Sequence, residues 1–120
     1  MLTLILGGVR SGKSRMAERL AADISDQIVY VATAEAKDVE MQERIALHQT
    51  HRPEHWKTIE EPIHLAKALF EYGTAENVVI VDCITLWITN LLLADERFKT
   101  GRDEIEALIM ELKRGRCNLV

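Results

Sequence analysis

Residues 7–14 read G-G-V-R-S-G-K-S, which fits glycine, any four residues, glycine, lysine, then serine or threonine. An apolar run at 2–6 precedes them and a helical-looking R-M-A-E-R-L at 15–20 follows, the strand, loop and helix order of a phosphate-binding loop. Gly7, Gly8 and Gly12 let successive backbone N–H groups around Val9, Arg10 and Ser11 turn inward on an anion. A helix beginning near Gly12 adds the positive end of its dipole. Lys13 supplies a mobile cation for the outer phosphates, and the Ser14 hydroxyl suits Mg²⁺. Arg10 has two readings, one reaching the phosphates and one facing solvent. The loop alone implies a nucleoside triphosphate without saying which one, or what becomes of it.

Two further groups of residues could do chemistry. Asp82 closes the apolar run V-V-I-V at 78–81, where a strand-end carboxylate can hold Mg²⁺ opposite the loop serine; the plainer alternative is a cap for the following helix. His48, His51, His55 and His64 fall within seventeen positions, and their spacing from one another is not a metal motif on its own. An imidazole can attack phosphorus to give a phosphoramidate, dividing one transfer into two displacements. Histidines near helix ends also serve the helix dipole or simply face water.

These groups need elements to position them. The sequence predicts a strand at 2–6, a helix opening at the loop, a second buried strand at 27–32 and a helix over 34–50. On that helix Met41, Ile45 and His48 share a face, and Arg52-Pro53 ends it. A short extended link at 56–59 comes next, then a helix from Pro62 to about Tyr72 stopped by Gly73. After the strand at 78–82 come a strongly apolar helix over 84–94, packed on both sides, and an amphipathic helix over 102–114 burying Ile105, Leu108, Ile109 and Leu112. The final C-N-L-V at 117–120 begins another strand, so a domain incomplete at its C-terminus is expected. Alternating strands and helices imply one α/β domain over 1–120 with a mainly parallel sheet.

Composition narrows the partners. The chain has 120 residues, enough for one domain with a real core. A net charge of −4 argues against nucleic acid or an anionic membrane surface as a partner. No stretch approaches the ~20 apolar residues of a membrane helix, and the short apolar N-terminus lacks a basic flank. Cys83 and Cys117 show no zinc spacing and read as reduced core residues of a cytoplasmic protein.

The loop at 7–14, H-Q-T-H-R-P-E-H-W at 48–56, T-I-E-E-P at 58–62 and V-D-C-I-T-L-W-I-T-N-L-L at 81–92 together resemble the bifunctional adenosylcobinamide kinase / adenosylcobinamide-phosphate guanylyltransferase family of coenzyme B12 synthesis. The resemblance runs from Leu2 to about residue 94, and the second and fourth segments are its specific part. It implies a RecA-like, P-loop NTPase-like α/β fold assembled as a homotrimer. It implies phosphorylation of the aminopropanol hydroxyl of adenosylcobinamide by ATP or GTP. It also implies transfer of GMP from GTP through an enzyme histidine, placed at His48, to the corrinoid phosphate. Nucleotide contacts are implied along the loop, at Thr33, Ala34 and Glu35, at Gln49, Thr50, His51 and Arg52, and at Glu60 and Asp82.

These implied roles are chemically reasonable. Arg52 could neutralise charge on an attacked phosphate. A Glu60 carboxylate could accept the two adjacent N–H donors of guanine, or Glu60 and Glu61 could simply favour the start of the next helix. His51, His55 and His64 carry no implied catalytic role. Two readings stand beside the bifunctional enzyme: a phosphate-loop small-molecule kinase with direct transfer, and a nucleotide-binding fragment without activity.

Overall fold

A computed structural model describes residues 1–8, 10–35, 39–50, 52–115 and 118–120, with His48 and Gln49 described as backbone only. Its centre is a parallel sheet. The strands are β1 (Ile28–Ala32), β2 (Lys57–Glu60), β3 (Val78–Asp82) and β4 (Asn118–Leu119), in the spatial order β2-β1-β3-β4. The helices are α1 (Lys13–Ile24), α2 (Val39–Thr50), α3 (Leu65–Tyr72), α4 (Ile84–Ala94) and α5 (Lys99–Arg114). This is the α/β architecture that the alternating pattern predicts.

Every residue of β1 is buried, as a central parallel strand covered on both faces must be. The pleat sends alternate residues to opposite sides. Val29, Val31 and Val79 join Leu65, Leu69, Trp87, Leu91 and Leu108 in the core beneath α3, α4 and α5. Ile28, Tyr30, Ala32, Val78 and Ile80 form a second core with Ala21 of α1. Trp87 Nε1 donates to Ile63 O (2.8 Å), satisfying a polar group in an otherwise apolar site.

The ends of the elements reflect local chemistry. Gly73 stops α3, its N–H returning to Leu69 O. α3 begins at Leu65 rather than at Pro62, because the Glu61 carboxylate accepts the backbone N–H groups of Ile63 and His64 just before it. α5 starts three residues earlier than the periodicity suggests. Asp95 accepts from the backbone of Arg97, Lys99 and Thr100 and gathers that turn.

Four expectations are corrected. Residues 2–6 form no strand: Leu2 makes an isolated bridge to Leu119, Thr3 N–H donates to Leu119 O, and the run then leaves the sheet with Leu4 71% and Leu6 83% exposed. The reason is pairing: residues 118–120 take the free edge of β3 and offer only a short ladder to the N-terminal segment. In the second correction, Ala34 lies outside the helix, which is described from Val39. Third, α4 buries Trp87 and Leu91 but leaves Leu92 and Leu93 exposed, so one face alone is packed. Fourth, on α5 Leu108 is buried while Ile109 faces outward.

Candidate functional site

The sheet register assembles the site. Ala32 of β1 is paired with Glu60 of β2 on one side and with Asp82 of β3 on the other, so three strand ends stand level. Ligands of open parallel sheets bind beyond these carboxyl ends. The described loop residues 7, 8 and 10–12 lead to α1, which opens at Lys13 through Gly12, whose φ of 82° lies in the left-handed region that glycine tolerates, and Ser14 joins this edge at Asp82. A Cβ on Gly7 would meet the Ser11 side chain, which would have to turn aside.

Ser14 and Asp82, the pair expected to share a metal, are joined directly: Ser14 Oγ donates to Asp82 Oδ2 at 3.0 Å. A hydroxyl and a carboxylate at that separation are oxygen donors of the kind a hard divalent cation takes, and they fit Mg²⁺ when completed by phosphate oxygens and water. Asp82 does not cap the next helix. Cys83 does, its Sγ accepting from Leu86 N–H (3.4 Å), so this thiol is a half-buried cap rather than a core residue. Lys13 folds back, its Nζ donating to Gly8 O at 3.2 Å. Arg10 is exposed, with φ 59°.

The strand-end side is densely bonded. Thr33 is fully buried, its N–H donating to Asp82 O and its hydroxyl donating to Cys83 O (2.8 Å) while accepting from Cys83 N–H (2.9 Å). The Thr33 carbonyl accepts from Asn90 Nδ2 (2.8 Å), which also reaches Pro62 O (3.1 Å). Thr33 and Asn90 therefore fix the shape of this edge.

Tyr30, which the sequence offers only as a strand residue, is central. Its hydroxyl donates to Asp82 Oδ2, the oxygen that also accepts from Ser14. Burial first, then the Asp82 charge, holds the phenol well above its usual range, so it remains a neutral donor. Over its ring lies the Arg52 guanidinium, 3.7 Å from the centroid. Arg52 is only 8% exposed, and its Nε has no hydrogen-bond partner among the described residues. A signal for Tyr30 did exist: a tyrosine in a fully buried strand needs a partner for its hydroxyl.

Tyr30, Arg52, Asp82 and Cys83 line a cavity of about 170 Å³ together with Ala32, Ala34, Met41, Arg44, Ile45 and Leu86. Met41 and Ile45 bring α2 to the cavity on the face that helical spacing shares with position 48. Other expected residues are not drawn in. Thr50 turns its hydroxyl to Leu47 O within α2, and Glu60 is exposed at the end of β2. Glu35 lies in the segment after Ala34, half-buried. His64 pairs with Glu104 (2.7 Å) between α3 and α5, and His55 is exposed. Val9, His51 and Cys117, and the side chains of His48 and Gln49, lie outside the described residues.

A glycine loop opening a helix at the carboxyl edge of a parallel sheet, with its serine bonded to the strand-end aspartate, defines a protein of the P-loop α/β class. Within that class the chain belongs to the family described as cobinamide kinase / cobinamide phosphate guanyltransferase, whose profile matches residues 3–120. It is 56% identical over 122 residues to the bifunctional adenosylcobalamin biosynthesis protein CobP of Pseudomonas aeruginosa, covering all of this chain and 70% of the relative. It is 46% identical over 92 residues to the bifunctional adenosylcobalamin biosynthesis protein CobU of Escherichia coli, covering 77% of this chain and 50% of that protein. For CobU of Salmonella typhimurium the identity is 43% over 94 residues, covering 78% and 51%. Among the described residues no helix is long and apolar enough to cross a membrane.

Proposed function

We propose that this chain carries the nucleotide-handling machinery of an adenosylcobinamide kinase and adenosylcobinamide-phosphate guanylyltransferase. The observation that carries the reading is the Ser14–Asp82 bond, which joins the phosphate loop to the strand end in a chain of this family. In the kinase step, the aminopropanol hydroxyl oxygen of adenosylcobinamide attacks the γ-phosphorus of ATP or GTP, its proton passes to water, and the bond to the β–γ bridging oxygen breaks as the nucleoside diphosphate leaves. Lys13 and the loop N–H groups hold the phosphates, and Ser14 with Asp82 would hold Mg²⁺. Bound there, the ion offsets charge on the phosphate oxygens.

In the guanylyl step, an imidazole nitrogen of His48 attacks the α-phosphorus of GTP. A P–N bond forms, the bond to the bridging oxygen breaks, and pyrophosphate leaves. A phosphate oxygen of adenosylcobinamide phosphate then attacks the same phosphorus, the P–N bond breaks, and histidine is restored. Arg52 lines the cavity beside Asp82, where a cation stabilises charge building on the attacked phosphate. Glu60, at the end of β2, is the proposed purine contact. A homotrimer working in the cytoplasm on a corrinoid completes the reading.

The test is the intact mass of the protein after incubation with GTP and Mg²⁺ at neutral to alkaline pH. An adduct of GMP mass that disappears in mild acid is expected, and none with His48→Ala. An adduct that persists in His48→Ala would overturn the residue assignment. A parent protein that turns over a corrinoid without ever holding the α-phosphate would be a direct-transfer kinase.

A further inference from the structure

We propose that Tyr30 is a positioning residue with two separable tasks: its hydroxyl orients the Asp82 carboxylate, and its ring carries Arg52. The inference deepens the nucleotide-binding reading and rests on it. Asp82 Oδ2 accepts from two sides at once, from Ser14 on the loop and from Tyr30 beneath it. When Ser14 turns to a metal ion and phosphate, the Tyr30 hydroxyl is the remaining donor that keeps the carboxylate aimed at the loop. Tyr30 is itself 3% exposed and packed within a central strand, so its hydroxyl is held by the sheet.

The ring does something different. A buried arginine is usually held by a carboxylate, which also cancels its charge. Here the guanidinium rests on an aromatic face, and among the described residues Arg52 has no ion pair. A neutral platform fixes the cation without neutralising it. Arg52 lines the cavity beside Asp82, so the charge left on its guanidinium is available to an anion bound there.

The hydroxyl and the ring can be removed one at a time. GTP binding to the protein is measured by calorimetry, in EDTA and over a Mg²⁺ titration, with thermal stability recorded alongside. Tyr30→Phe keeps the platform: affinity in EDTA should stay within about twofold, while the Mg²⁺ needed for half of its effect rises about tenfold, as for loss of one hydrogen bond to a charged group. Tyr30→Leu should add a loss of affinity in EDTA, about tenfold or less, which Arg52→Gln reproduces with the tyrosine intact. A merely structural tyrosine would lower stability without splitting these readouts.

A Mg²⁺ profile unchanged in Tyr30→Phe overturns the first task. An unchanged EDTA affinity in Arg52→Gln overturns the second, whether or not Tyr30→Leu folds. If the parent protein binds no GTP at all, the nucleotide-binding reading fails and takes this inference with it.

Discussion

The loop at 7–12 and the strand ends of β1 and β3 face the same edge of the sheet, yet they are built by different means. The described bonds of Ser11 N–H and Lys13 Nζ stay local, both returning to the Gly8 carbonyl, and Ser14 ties the end of the loop across to Asp82. Most of the loop's residues are exposed. At the strand ends, Thr33, Cys83, Asn90, Tyr30 and Asp82 are tied across β1, β3 and α4 by side-chain hydrogen bonds. One half is fixed by the fold, while the other offers backbone N–H groups and a cation with few competing partners. The difference teaches where mutational effects should fall: on ligand affinity in the loop, and on stability at the buried Thr33 and Asn90 bonds that shape the strand ends.

The largest expected effect tests the loop. Lys13→Ala should weaken GTP binding about 10- to 100-fold, the range for losing a charged hydrogen-bonding contact, with little change in melting temperature. Calorimetry and a thermal scan on the same sample check both halves of that statement. A substantial loss of stability would break the contrast.

Thr33→Val tests the opposite side. It keeps the volume but removes a buried hydroxyl that both donates to and accepts from Cys83, and should destabilise by about 1–3 kcal/mol in a urea titration. Its effect on GTP affinity should be the lesser one. If affinity collapses while stability holds, the strand ends are ligand-organised too.

The smallest effect sets a baseline away from both halves. Asp95 is held below the usual carboxylate range, first by the backbone N–H of Thr100 and then by that of Arg97. Its folded value is depressed, so its contribution to stability is present above the unfolded value of about 3.9 and disappears as pH falls through the lower folded one. Asp95→Ala should therefore lower the melting temperature slightly at neutral pH, and the gap from the parent should close below about pH 4. GTP affinity should not change.

Much of this arrangement was legible in the residues. The V-V-I-V-D run at 78–82 is β3 to the residue, since an unbroken β-branched stretch has few other uses. The loop's spacing led to Ser14, and the end of the strand led to Asp82. What escaped depended on pairing rather than on propensity. Residues 2–6 look like a strand but receive only the short ladder that β4 provides. The extended link at 56–59 was weak as a pattern, yet β1 recruits it as β2. Tyr30 was hidden because its role depends on Asp82 and Arg52, which are far from it in sequence and meet only in the folded sheet.

The level ends of Ala32, Glu60 and Asp82 also restrict how this sequence can change length. Each residue added to or removed from a parallel strand shifts the remainder of that strand by about 3.3 Å and turns every side chain in that remainder to the other face. A deletion inside β3 would withdraw Asp82 from Ser14 and move its neighbours between the two cores. The same deletion in the turn after α3 would leave the strand-end alignment intact. Insertions and deletions among relatives should therefore gather in the connections and spare β1 and β3, even where the identities of the residues within those strands drift.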